Sequence, residues 1–262
     1  VSGFISLSPF DLALAAGFVF LAAILSFLLR LGVAKRLLIA ATRTVIQLSL
    51  VGFVLKTVFG LDNPLFVLGL LFFMTLVAGR EASARSRRRY AHMILDTTIS
   101  MASVAFVIGA VVTQIIIDVK PWYHPQYVIP LLGMLLGNSL NGVSLALDTF
   151  LDYVVSRRSE IELFLAYGAD RNEALQNALR AAVRRGLVPI INSMSVAGVV
   201  SLPGMMTGQI LAGAPPLQAV AYQILVMFML AGSYSLGATS VVFLAGKRLF
   251  GRELRLRREI LS

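Results

Sequence analysis

Long apolar runs separated by short basic patches dominate the chain. A helix needs about 20 mostly apolar residues to cross the hydrocarbon core of a bilayer. Seven stretches qualify or come close: residues 10–29, 37–59, 65–79, 93–117, 128–150, 187–213 and 217–246. The third is short. The sixth is interrupted by "SLPGMMTGQILAG" (201–213), where Pro203 removes a backbone donor and Gly204 and Gly208 loosen the helix. Unpaired backbone at membrane depth is tolerated where it is packed in protein or lines a water-filled cavity. The stretch therefore reads either as a proline kink packed between helices or as a cavity-lining break. The pattern predicts an all-α integral membrane fold of seven transmembrane helices, the sixth broken near Pro203, in a single transmembrane domain over residues 1–262.

Charge orients these spans. Most of the 23 Lys and Arg fall in alternate connections: Arg30, Lys35 and Arg36; Arg80, Arg85, Arg87, Arg88 and Arg89; six arginines in 151–186; and Lys247, Arg248, Arg252, Arg255, Arg257 and Arg258. The opposite connections hold Lys56 and Lys120. The positive-inside rule then predicts an outer N-terminus and a cytoplasmic C-terminus. Trp122 and Tyr123 suit an interfacial belt on the outer side. A sixth span that turned back would place the basic tail outside, so it is expected to cross once. "VSGFISLSPF" has no basic n-region, so no cleaved signal peptide is expected.

Composition agrees: 58% of residues are hydrophobic, 14% are charged, and mean hydropathy is +0.83. The formal charge of +10 does not point to nucleic acid, because the basic residues flank apolar spans. Without cysteine the chain makes no disulfide, thiolate zinc site or iron–sulfur ligation.

Polar residues inside the spans mark candidate chemistry, because they are costly there unless they face protein or water. Arg43 and Gln47 are four apart and share a helix face. Arg43 either snorkels, makes a structural pair or meets an anionic substrate. Gly133, Gly137, Asn141, Ser144 and Asp148 form one stripe, with Asn138 beside it. Such a stripe is either a helix–helix seam or a pore-lining face. Asn192, Gln209 and Gln223 concentrate polarity in the C-terminal half. The candidate translocation path is Arg43, Gln47, Asn138, Asn141, Asn192, Pro203, Gln209 and Gln223. Met205 and Met206, with Asn138 and Asn141, are candidate transient metal contacts; the methionines otherwise fill irregular space.

The connection 151–186 pairs an apolar turn ending at Gly168 with a second helical pattern through Ala174, Leu175, Ala178, Leu179 and Ala182. A helix–Gly–helix unit at the membrane surface docks a cytoplasmic partner or is a solvated hairpin. There is no G-x-x-x-x-G-K-[ST] loop for ATP and no H-E-x-x-H for a metalloprotease. No span contains a central histidine to activate a serine; His92 and His124 fall in loops. A channel or secondary transporter remains an alternative, although Arg43 and Asp148 are poor proton carriers.

"RTVIQLSLVGFVLKTVF", "IPLLGMLLGNSLNG", "ELFLAYGADRNEAL" and "LPGMMTGQILAGAPPLQAVAYQILVMFML" together resemble the FetB-type family of ABC permeases, which includes a bacterial iron-export permease and plant aluminium-tolerance homologues. The resemblance implies a permease subunit, homodimeric, in the bacterial inner membrane. It implies two copies of a separate cytoplasmic ABC ATPase, which would bind ATP-Mg; no cofactor is expected in this chain. It assigns coupling to Glu160, Glu162, Gly168 and Ala169. Glu162 and Gly168 keep the spacing of the importer coupling motif, but its two alanines are absent and Pro189 lies 21 residues after Gly168, further than that motif places its proline. The resemblance implies iron export. Hard ferric ions prefer oxygen ligands, and the spans offer mainly neutral amide oxygens, so a metal chelate or a nucleotide-sugar stands as the alternative cargo.

Overall fold

Local capping chemistry sets several helix starts. Ser8 and Asp11 form a capping box at the first helix, and Asp170 and Glu173 form another before the seventh. The fifth and ninth helices begin at Pro125 and Pro216, where a missing N–H costs nothing. The computed structural model describes residues 8–61 and 63–250. Among these the helices are α1 (Pro9–Leu28), α2 (Ala34–Leu61), α3 (Pro64–Ala84), α4 (Met93–Ala110, continued by a π-helical turn, Val111–Ile116), α5 (Pro125–Ser156), α6 (Arg158–Ala166), α7 (Arg171–Val196), α8 (Gly204–Leu211) and α9 (Pro216–Leu249).

Six of them are long and apolar enough to cross a membrane: α1, α2, α3, α4 with its π turn, α5 and α9. The stretch expected as a sixth span, 187–213, is organised differently. The helix nucleated by the Asp170 box runs without interruption from the charged surface segment into the apolar one, ending at Val196. Its 26 residues span about 39 Å. The break occupies residues 197–203 and so ends at Pro203, near which it was expected. Gly198 adopts φ +80°, and its N–H donates to Ser201 O at 2.9 Å. Pro203 sits immediately before α8, so it begins a helix instead of ending one. The tail residues Arg252, Arg255, Arg257 and Arg258, used to orient the chain, lie outside the described residues.

The chain divides into two compact units, one of α1 and α2 with Leu211–Gly213, the other of the remaining helices. In the first, α1 packs on α2, whose one buried residue is Val58. In the second, α5 is central and packs against α3, α4, α7 and α9. Leu, Val and Phe on outer faces gain nothing by leaving lipid, so association depends on close packing. Small residues supply it. A Cβ on Gly186 would lie 2.8 Å from Gly142 O and 3.1 Å from Ala238 Cβ, which marks the meeting of α5, α7 and α9. Between α3 and α4, a Cβ on Gly79 would lie 2.6 Å from Thr98 Cα, and Thr97 Oγ1 donates to Gly79 O at 2.7 Å.

Candidate functional site

The basic end of α5 carries the most densely bonded polar site. Asn141, Asp148 and Asp152 lie seven and four residues apart, on one helix face. Four consecutive residues after α3 donate to that face. Arg85 Nη1 donates to Asn141 Oδ1 at 2.6 Å. Ser86 Oγ and the Arg87 backbone N–H both donate to Asp148 Oδ1, at 3.2 and 2.8 Å. Arg88 Nε donates to Asp152 Oδ1 at 2.8 Å. The last pair is half exposed and adds little stability; bonds to Asp148 position the loop better because one donor is backbone.

Beside this seam lies a cleft of about 360 Å³ lined by Arg85, Asn141, Ser144, Leu145, Asp148 and Pro189. Tyr234 of α9 packs against Gly142, the residue after Asn141, so α9 closes on the same turn of α5. Ser144 Oγ donates back to Leu140 O. The arrangement offers guanidinium and amide donors next to a carboxylate.

A second polar cluster joins α4 to α9. Asp96 is fully buried in the first turn of α4. Arg248 Nε donates to its Oδ1 and Oδ2 at 2.7 and 2.6 Å, and Tyr90 Oη donates to Oδ2 at 3.0 Å. Burial and the Asp96 charge hold the Tyr90 phenol far above its ordinary range. Sequence reasoning passed over Asp96. An acidic residue inside an otherwise apolar span was the available signal.

Comparison with known proteins bears on this architecture. The model of an uncharacterised protein family, UPF0014, matches residues 9–250. The chain belongs to the UPF0014 family. UPF0014 membrane protein slr1647 of Synechocystis sp. is 40% identical over 86% of this chain and 87% of its own length. "Probable iron export permease protein FetB" of Escherichia coli is 33% identical, covering 94% and 93%. "Protein ALUMINUM SENSITIVE 3" of Arabidopsis thaliana is 30% identical, covering 93% and 88%. The resemblance carried by the LPGMMTG run thus extends over nearly the whole UPF0014 domain. No solved structure matches.

The other candidate residues of this UPF0014 member are dispersed. Arg43 and Gln47 lie exposed on α2, in the first unit. Asn138 is half buried, and its Nδ2 donates to Met134 O at 2.8 Å. Asn192 is exposed on α7. Met205 and Met206 are half buried on α8. Gln209 Oε1 and Gln223 Oε1 are buried without a hydrogen-bond partner. Among the described residues no group of three His, Cys, Asp or Glu is placed to hold a metal.

The 160–169 segment forms α6 and its cap. Arg157 pairs with Glu160 at 3.0 Å and Arg158 with Glu162 at 2.6 Å, both along the helix surface. Gly168 takes φ +89°, and Ala169 N–H closes back on Phe164 O at 3.0 Å, a Schellman-type ending. Ile161 anchors α6 inward, while Leu163, Phe164 and Tyr167 are exposed.

Proposed function

We propose that this chain is the membrane-spanning permease subunit of an ABC exporter for iron or another metal species. It works as a homodimer in the bacterial inner membrane, with two copies of a separate cytoplasmic ATPase that binds ATP-Mg. The observation that carries this reading is α6: a short amphipathic helix at the basic end, anchored by Ile161 and presenting Leu163, Phe164 and Tyr167 outward. An exposed apolar knob flanked by ion pairs fits a groove on a partner protein. Gly168 turns the chain directly into α7, and α7 continues unbroken into the apolar region. A displacement of α6 is therefore passed to α7 as a lever about 39 Å long.

The name of the E. coli relative, a probable iron export permease, supports iron as cargo and export as direction. Neutral oxygens and thioethers at Asn138, Asn141, Met205 and Met206 suit transient contacts that release cargo. Arg43, Gln47, Asn192, Pro203, Gln209 and Gln223 are the further candidates for the path.

Co-expression with an ABC ATPase and reconstitution into vesicles tests the assignment. Charge reversal at Glu162 removes the Arg158 pair and puts a second cation beside it. A bulky residue at Gly168 is strained by about 1 kcal/mol or more at positive φ. Both variants should hydrolyse ATP without matching iron flux. Unchanged coupling in both, or no association with any ATPase, refutes the reading.

A further inference from the structure

Building on the permease reading, we infer that the cleft beside α5 binds cargo as an oxyanion-bearing metal complex, with Arg85 recognising a carboxylate or phosphate oxygen of the ligand. A guanidinium has five N–H donors, and one, on Nη1, is engaged by Asn141 Oδ1. The others remain at the cleft wall. The side chain is also pre-oriented. The two residues after it are tied to Asp148 through Ser86 Oγ and the Arg87 N–H, so the loop cannot swing Arg85 away without breaking both bonds. A fixed guanidinium fork matches a carboxylate or phosphate in two-point geometry.

Asp148, in the same lining, completes the match. Both donors that reach Asp148 fall on Oδ1, which leaves Oδ2 to accept from a ligand hydroxyl or bind a metal. The cleft volume of about 360 Å³ is at the scale of small-molecule sites, roughly 300–1,000 Å³. Charge at the rim disfavours a bare cation. Asp152 is already paired with Arg88. On α7, the exposed Arg185 lies one turn before Pro189 on the same face, towards the basic end. A naked divalent ion would meet Arg85 with one carboxylate to hold it. A complex carrying both signs meets a partner for each.

The full chain in nanodiscs provides the test, by equilibrium dialysis against labelled citrate and labelled pyrophosphate, each with and without ferric iron. Saturable binding of at least one anion is expected. Arg85→Gln should weaken it about tenfold or more, as loss of a charge-assisted bond implies. Arg85→Lys should restore part of it, and Arg87→Gln should leave it unchanged, because that side chain is outside the cleft lining. Citrate or pyrophosphate alone as the ligand identifies carboxylate or phosphate as the source. No binding of either at millimolar concentration overturns the inference, as does equal weakening by Arg85→Gln and Arg87→Gln, which would mark diffuse surface charge. ATPase assembly is measured separately on the wild-type chain. Its failure would refute the permease reading while the dialysis result stands.

Discussion

Arg248→Met should destabilise the protein more than Asp96→Asn does, although both break the same ion pair. Asp96 has no exposed surface, and its carboxylate is held by Arg248 Nε and Tyr90 Oη. Removing the guanidinium leaves a buried charge with one phenol donor. Breaking a buried pair from one side costs about 3–5 kcal/mol. Arg248 keeps 35% of its side-chain surface exposed, so screening favours the lower end, about 3 kcal/mol. In Asp96→Asn the situation reverses: Arg248 turns its head to solvent, and the amide oxygen still accepts from Tyr90. That loss is about 1 kcal/mol. The double variant Asp96→Asn/Arg248→Met has no stranded charge and should fall between the wild type and Arg248→Met, with a coupling of about 2 kcal/mol in a double-mutant cycle. Equilibrium unfolding of the detergent-solubilised chain, followed through its single tryptophan, Trp122, reads all four proteins. Equal costs for the two single variants, or a double variant worse than Arg248→Met, refutes the reasoning.

Packing and titration give further expectations. Gly186→Leu should cost at least about 2 kcal/mol, because its Cβ meets the Gly142 carbonyl and Ala238 at once, whereas Gly137→Leu finds nothing within 4 Å and should be near neutral; comparable losses would refute the three-helix meeting point. Tyr90 should stay protonated at pH 11 while the protein is folded, since burial and Asp96 raise its phenol. A raised phenol contributes stability that is complete below the unfolded value of about 10 and is lost as pH rises from there towards the folded value. Phenolate absorbance at pH 11 should therefore be the same in wild type and Tyr90→Phe, and a deficit of one tyrosine in the variant would contradict the burial.

The spans of α1, α2, α3, α4, α5 and α9 were legible because apolar length is a local property; the caps at Ser8, Pro125 and Pro216, which set where three of them start, were not read. The pattern through Ala174, Leu175, Ala178 and Ala182 likewise anticipated the buried face of α7. The break near Pro203 was legible from the proline, but the turn at Gly198 that starts it, where a left-handed backbone angle is cheap, was not. The stripe on α5 was seen, but not what meets it.

By itself, then, the sequence determined an all-helical membrane chain of the UPF0014 family, the α6–Gly168–α7 unit and the uneven distribution of basic charge. Tertiary structure alone decided which polar groups became partners. Arg248 reaches Asp96 across 152 residues, and Arg85 reaches Asn141 across 56. Helix formation satisfies the backbone within each segment and is written in consecutive residues. Side chains that must be paired away from water take whichever partner the helix packing brings near, and that packing turns on contacts such as Gly142 against Gly186, which no local pattern specifies.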